Sequence, residues 1–195
     1  ISSWRTVNSS KSFTQVTGSP YDHTGASPAL SLWVGYMVLD ESDCYHNATD
    51  DFTGTISSSI VESTVQCFYV EKAATHLNVK EGTFETVDAS TTTPDPTAIT
   101  TTYDDTIVIT IDGRNHASAA TAPSGYTKGA EALNGSSTFG LTFAAKQVQA
   151  AGAEDPGTWT TGSSEHVMYS LGVTKTAVNP PVNTVAPAVT PTADP

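Results

Sequence analysis

Apolar residues recur at every second position along much of this chain, which is the period of a β-strand with one buried face. The pattern is clearest over residues 30–39, 65–70, 106–111, 139–143 and 167–173, where β-branched and aromatic residues dominate. In residues 30–39 both alternating sets are apolar, so this segment is expected to be covered on both sides. The pattern predicts a strand at each of the five segments.

Shorter runs with the same alternation predict further strands at residues 12–16, 54–61, 77–80, 83–87, 99–103, 126–130 and 158–161. The stretches between them carry turn residues, among them Asp112-Gly113 and Asn134-Gly135. Asn134-Gly135 stands between two strand patterns and is the strongest hairpin signal in the chain. Residues 144–153 have the composition of a short helix, but they could equally continue the strand before them.

Many short strands with frequent turns are typical of an all-β sandwich or barrel. The absence of helical stretches of 10–15 residues between the strands excludes a parallel α/β sheet. Residues 178–195 are different, because they hold five prolines among Thr, Val and Ala. That composition favours an extended arm. We therefore predict one domain over residues 1–176 and a Pro-rich C-terminal arm over residues 177–195.

Hydroxyl groups replace charge as the polar surface of this chain. Its 195 residues include 32 Thr and 21 Ser, whereas only 14% are charged, against about 25% in an average soluble domain. The formal net charge of −12 argues against a partner that presents a phosphate backbone, which needs clustered Lys and Arg. No run approaches 18 consecutive apolar residues. Nucleic acid and membrane are therefore not expected as partners.

One acidic loop, residues 40–51, has a density of oxygen ligands that could suit a metal. Calcium takes six to eight oxygens, and the candidates are Asp40, Asp43, Asp50 and Asp51. The spacing is not that of an EF-hand, because the central Gly and the terminal bidentate Glu are both missing. A solvated acidic turn explains the loop equally simply. Calcium is the one cofactor that the sequence leaves open.

Two cysteines, Cys44 and Cys67, are the only thiols in the chain. A disulfide between them would close a loop and add about 3 kcal/mol in the chain-entropy model. Alternatively, Cys67 lies within a predicted strand, where a buried free thiol acts as a small hydrophobe. Both states remain open at this point.

Catalytic motifs are missing from the sequence. The five histidines show no local pairing of the kind that zinc sites use, and no Gly-x-Ser-x-Gly elbow occurs. Ser/His/Asp triads and paired carboxylates are assembled in space, so spacing alone does not reveal them. The sequence assigns no catalytic residue, and we predict a protein that is not an enzyme.

The second half of the chain resembles a known family. It reads as a Thr-rich strand (residues 97–103), the acidic turn Asp104-Asp105, an apolar strand (106–111), a Pro-x-Gly-Tyr-Thr turn (123–127), a strand with an Ala-rich segment (139–153), a Pro-x-x-Trp-Thr strand (156–160) and a last apolar strand (166–173). This order is similar to the jelly-roll-like β-sandwich domains of phage virion structural proteins. The family's earlier Pro-x-Gly-aromatic turn is not found before residue 84, where the acidic loop stands instead.

The resemblance implies an antiparallel β-sandwich of the jelly-roll-like type, displayed on the virion surface as a capsid decoration, head-fibre or tail-appendage protein. Its expected partners are capsid or fibre proteins of the same particle and further copies of itself. Because virions assemble in a reducing cytosol, the resemblance disfavours the disulfide. The residues expected to contact partners are Trp4, Pro180, Pro181, Pro187 and Pro191. The alternative is a carbohydrate-binding module or adhesin that binds host-surface glycans, with calcium at the acidic loop.

Overall fold

The computed structural model describes residues 3–6, 12–26, 29–37, 52–55, 76–133 and 138–176. Every regular element in this part of the chain is a strand. The first seven are β1 (Ser3–Thr6), β2 (Thr14–Gln15), β3 (Tyr21–His23), β4 (Leu30–Leu32), β5 (Gly35–Tyr36), β6 (Phe52–Thr55) and β7 (His76–Glu81). The other seven are β8 (Glu85–Thr91), β9 (Ile99–Thr101), β10 (Thr106–Arg114), β11 (Thr127–Leu133), β12 (Gly140–Val148), β13 (Gly152–Glu154) and β14 (Ser164–Thr176).

The predicted fold class, an all-β antiparallel sandwich, is confirmed. All the strand pairs are antiparallel. The described residues contain no helix long and apolar enough to cross a membrane. The acidic loop with its calcium candidates, both cysteines and the Pro-rich arm lie outside the described residues, so the expectations for them stay predictions.

A six-stranded sheet forms the centre of the domain, with the order β11-β12-β10-β14-β7 and β8 also paired with β14. Strand β14 is long enough to pair with β7 over its second half and with β8 over its first half. The two partners are separated by residues 82–84, where Gly82 donates its N–H to the carbonyl oxygen of Ser170 at 3.1 Å. A Cβ at Gly82 would lie 2.3 Å from that oxygen, so only glycine allows this approach.

One face of the central sheet, here the apolar face, carries Ile109 and Ile111 of β10 and the odd-numbered residues 167–173 of β14. The layer that covers it comes from residues 12–37, through Val16, Leu30, Leu32 and Val34 among others. This is the larger of the two apolar clusters in the described residues. Its side chains follow the alternation that the sequence shows.

Residues 30–39 do not form one strand, which corrects the prediction. They contribute β4 and β5, which pair with different strands, and the break falls at Trp33 and Val34. Val34 donates its N–H to Ser19 Oγ at 2.8 Å and accepts from the N–H of Val16 at 3.2 Å. These bonds to the facing loop replace ladder bonds, which sequence alternation cannot reveal.

The opposite face, here the network face, carries Val108, Thr110, Asp112 and Arg114 of β10. A second apolar cluster, formed by Ile99, Val108, Ala120, Tyr126, Ala144 and Trp159, covers part of this face. Trp159 is fully buried. The predicted strand at residues 158–161 is wrong, because only a single bridge joins Thr160 to Thr121.

Four further features of the structure can be compared with the predictions. Asp112-Gly113 does not end a strand but lies inside β10. Residues 144–148 continue β12, and the chain then turns into β13, so the helix alternative is wrong. The predicted hairpin pairing of β11 with β12 is confirmed. The Pro-x-Gly-Tyr turn is confirmed too, with Gly125 at φ 81° and the N–H of Tyr126 bonded to Pro123 O at 3.1 Å.

Candidate functional site

The residues that the sequence singled out do not form a described site. Of the predicted partner contacts, only the backbone of Trp4 is described, within β1. The remaining ones, and the calcium candidates, lie outside the described residues. Among the residues that the structure describes, no group of three or more His, Cys, Asp or Glu side chains is arranged to hold a metal ion. The chemistry-bearing residues are gathered elsewhere.

The pairing of the strands places several polar side chains next to one another on the network face. Asp112 and Arg114 are alternate residues of β10, and Arg114 lies directly opposite His166 of β14. Thr142 of β12 lies opposite Asp112 on one side and opposite Glu131 of β11 on the other. Since residues two apart on a strand share a face, Ser164 joins them. The buried network consists of Asp112, Arg114, Glu131, Thr142, Ser164 and His166.

Arg114 is the centre of the buried network and is 0% exposed. Its Nη1 donates to Asp112 Oδ2 at 3.0 Å and to Thr142 Oγ1 at 2.9 Å. Its Nη2 donates to Glu131 Oε1 at 2.7 Å, and both Nε and Nη2 donate to the carbonyl oxygen of Ser118. All the nitrogens of the guanidinium are therefore hydrogen-bonded, as a buried charge requires.

Gly140 makes room for this arginine. It lies opposite Arg114 on β12, and a Cβ there would come within 2.8 Å of the guanidinium carbon. The sheet therefore has no side chain at the position where the guanidinium lies.

Glu131 joins the buried network to the loop over the sheet. Its Oε1 accepts hydrogen bonds from the N–H of Ala120 at 2.7 Å and from Thr142 Oγ1 at 2.9 Å. Its Oε2 lies 3.3 Å from Lys128 Nζ. Burial alone would raise the pKa of Glu131, but these hydrogen bonds and the charge of Arg114 outweigh it and lower the pKa below its ordinary value. Glu131 is held as a carboxylate.

Asp112, His166 and Ser164 form a chain of hydrogen bonds beside the arginine. Asp112 Oδ1 accepts from His166 Nδ1 at 2.7 Å, and His166 Nε2 lies 3.0 Å from Ser164 Oγ. Asp112 and His166 are 0% exposed, and Ser164 is 3% exposed. The order Asp–His–Ser, with these atoms facing each other, is that of a hydrolase triad.

Two carbonyl oxygens lie beside this chain of hydrogen bonds. The hydroxyl of Ser164 also donates to the carbonyl oxygen of Gly162 at 3.0 Å, and the carbonyl oxygen of Thr91 lies 3.5 Å from His166 Nε2. Acyl transfer instead requires N–H donors at this point, aimed at the oxygen on which negative charge develops. Carbonyl oxygens would repel that charge.

Outside the buried network, carboxylates of separate segments converge at one surface position. Partial burial raises the pKa of Asp95, and the negative charges of Asp155 and Glu85 raise it further. Glu85 accepts a hydrogen bond from the hydroxyl of Thr97.

The large apolar side chains that stand exposed in the described residues are Tyr103, at 40%, and Leu133, at 42%. Tyr103 immediately precedes Asp104 and Asp105.

Sequence reasoning missed the buried network. The signal available was the alternation of polar side chains at the end of one apolar strand pattern, Asp112 and Arg114, and at the start of another, Ser164 and His166. Strand pairing then decides which of them meet, and the sequence alone does not give the register. Comparison of the chain with protein-family models, with curated proteins and with solved structures finds no match.

Proposed function

We propose that this chain is a non-enzymatic structural protein of a virion, a β-sandwich displayed on the particle surface and attached to a capsid or fibre lattice. The observation that carries the proposal is the state of the buried network, whose charged groups are committed to one another inside the domain. Charged groups that bond to one another inside a domain make that domain more rigid, which suits a structural protein. The resemblance of residues 84–176 to phage virion domains supplies the kind of particle.

The surface of the domain also supports this proposal. Exposed positions around the central sheet are rich in small hydroxyl side chains, including Thr100, Thr102, Thr121, Thr127, Thr158 and Thr160. The chain has few positive charges and a formal net charge of −12, and this negative charge keeps assembled particles from associating with each other. Attachment is then left to particular segments, and the Pro-rich arm is the strongest candidate.

The position of β14 favours the arm as the anchor. This strand lies inside the central sheet, between β10 and β7, and residues 177–195 follow directly from its end. A pull on the arm would therefore be passed to the centre of the domain. An arm of this length can also supply much of the buried surface, about 1,200–2,000 Å² in total, that a stable contact needs.

Deletion of residues 178–195 tests this role. We expect the truncated protein to keep the melting temperature of the full chain, because the described strands end at Thr176, and to lose binding to the particle or to further copies. Sedimentation with particles and light scattering measure the two kinds of binding. Binding that survives the deletion undiminished would refute the anchoring role.

The non-enzymatic part of the proposal has its own test, because the Asp112–His166–Ser164 chain has the order of a triad. We expect a fluorophosphonate probe to leave Ser164 unlabelled in the folded protein, as measured by mass spectrometry. The heat-unfolded protein is the control for nonspecific reaction. Stoichiometric labelling that disappears in His166→Gln would instead favour a hydrolase.

A carbohydrate-binding module is the second candidate function, and the exposed Tyr103 favours it. Aromatic rings beside carboxylates are a common way to contact sugars, and Tyr103 stands next to Asp104 and Asp105. Calorimetric titration with glycans, with and without a chelator, tests this candidate. Binding that Tyr103→Ser abolishes would favour it over attachment to a lattice, and no heat with any glycan would remove it.

A further inference from the structure

Two hydroxyl groups of the network face are buried without a hydrogen-bond partner among the described residues. Thr110 Oγ1 and Ser170 Oγ are both in this state, and the two residues lie directly opposite each other on β10 and β14. Thr110 is 0% exposed and Ser170 is 2% exposed. A buried hydroxyl without a partner costs about 1–3 kcal/mol, so two on adjacent strands call for an explanation.

A third polar atom of the same region is in the same state. Trp159 Nε1 is buried and has no hydrogen-bond partner among the described residues. Trp159 belongs to the cluster that contains Val108 and Ala144. Val108 is two residues before Thr110 on the same face, and Ala144 lies directly opposite Thr110 on β12. The cluster that contains the indole therefore includes two residues that neighbour Thr110 on the network face.

The same two strands provide a contrasting pair. Thr106 and Thr174 are also register partners on the network face, and their hydroxyl oxygens lie 2.6 Å apart. Those two hydroxyls satisfy each other directly, and Thr106 donates its hydroxyl to the carbonyl oxygen of Tyr103 at 2.6 Å. Thr110 and Ser170 are paired in the same register, but their two hydroxyls do not bond to each other.

We propose that Thr110 and Ser170 bind one internal water molecule, which the indole N–H of Trp159 contacts from the other side. Side chains of directly paired residues have Cβ atoms about 4.5–5.5 Å apart, a separation that one water can bridge. The water donates to Thr110 Oγ1 and Ser170 Oγ and accepts from Trp159 Nε1. Three bonds is the usual number for a buried water. The water is then a fixed part of the folded domain.

Water-selective nuclear Overhauser spectra of the unmodified protein test this site. We expect cross-peaks between a slowly exchanging water and both the indole N–H of Trp159 and the methyl group of Thr110. The methyl groups of Thr106 and Thr174 are the internal control, and no such cross-peak is expected there. Absence of the cross-peaks at Trp159 and Thr110 would overturn the proposal, because the two hydroxyls would then be satisfied in another way.

The isosteric variant Thr110→Val gives a second, independent readout. If the hydroxyl binds water, the variant loses a hydrogen bond, and we expect the melting temperature to fall by about 2–4 °C. If the hydroxyl has no partner at all, the same change removes a buried unpaired group and leaves the melting temperature equal or higher, which contradicts the proposal. Thr106→Val, the matched control, should lower the melting temperature while the water cross-peak at Trp159 persists.

Discussion

Replacing Arg114 with methionine is the sharpest test of the buried network. Methionine keeps much of the length of the side chain but removes every N–H donor. Asp112, which is fully buried, and Glu131, which is 13% exposed, would then lose the cation that both contact, at 3.0 and 2.7 Å. The carbonyl oxygen of Ser118 would lose its donors as well.

The expected loss is large because the charges that remain are buried. Removing one partner of a buried ion pair costs about 3–5 kcal/mol, mostly for the charge left uncompensated. A domain has a total stability of about 5–15 kcal/mol, so this single change should remove about a fifth of it or more. In a chain of this size the melting temperature should fall by about 6–20 °C.

Urea unfolding followed by circular dichroism measures the free energy of unfolding directly. The matched control is Lys146→Met, which breaks a 2.6 Å ion pair with Glu154 but at a side chain that is 36% exposed. Exposed pairs contribute about 0–1 kcal/mol. Adding Glu131→Gln to Arg114→Met should recover part of the loss by neutralising one stranded carboxylate. If Arg114→Met costs no more than Lys146→Met, the reasoning about burial is refuted.

Three further predictions concern single positions. Gly140→Ala should lower the free energy of unfolding by about 1–3 kcal/mol, because its Cβ would meet the guanidinium of Arg114 at 2.8 Å. Gly113→Ala, whose Cβ would have only ordinary contacts, should lower it little in the same urea assay. Equal losses in the two variants would contradict this. The pKa of folded Glu131 lies below its ordinary value, so the ionised group stabilises the fold fully above that ordinary value and less as the pH falls toward the folded pKa. The free energy of unfolding of Glu131→Gln should therefore fall less steeply between about pH 6 and pH 3 than that of the unmodified chain. Parallel curves for the two proteins would be the opposing result. The pKa of Asp95 is raised by partial burial and by the negative charges of Asp155 and Glu85, so its ionised form destabilises the fold above that pKa. Asp95→Asn should therefore raise the melting temperature at about pH 7 and lose this advantage in acid or at high salt. A lower melting temperature of the variant at about pH 7 would argue against repulsion.

Sequence alternation predicted the strands of the central sheet but not where they end. Residues 106–111 and 167–173 fall within β10 and β14, and all of residues 139–143 except Phe139 fall within β12. The end of β10 was misplaced because Asp112-Gly113 is ordinarily a turn signal, and only the partners of Asp112 in space keep it inside a strand. The prediction of a single strand over residues 30–39 is wrong for a related reason, because Ser19 and Val16 of another segment bond to Val34.

The buried network could not be predicted because its members meet through strand pairing. Asp112 and His166 are 54 positions apart in the chain, and Arg114 and Glu131 are 17 apart. Their polar character is visible in the sequence, but a polar residue at a strand end is more often a solvated one. Which polar residues are buried depends on the residues that cover the network face, such as Trp159 and Ala120. The sequence does not show that cover.

The position of Arg114 also explains how a sheet built from similar residues keeps its register. A slip of one residue would move Arg114 to the apolar face, among Ile109 and Ile111, which the hydrophobic pattern alone forbids. A slip of two residues keeps that pattern, because its period is two. Such a slip against β12 would, however, replace Gly140 by Thr142 opposite Arg114, and the threonine side chain would fill the space that the guanidinium needs. The pairing of a large buried cation with a glycine therefore specifies the one register that alternation leaves undecided.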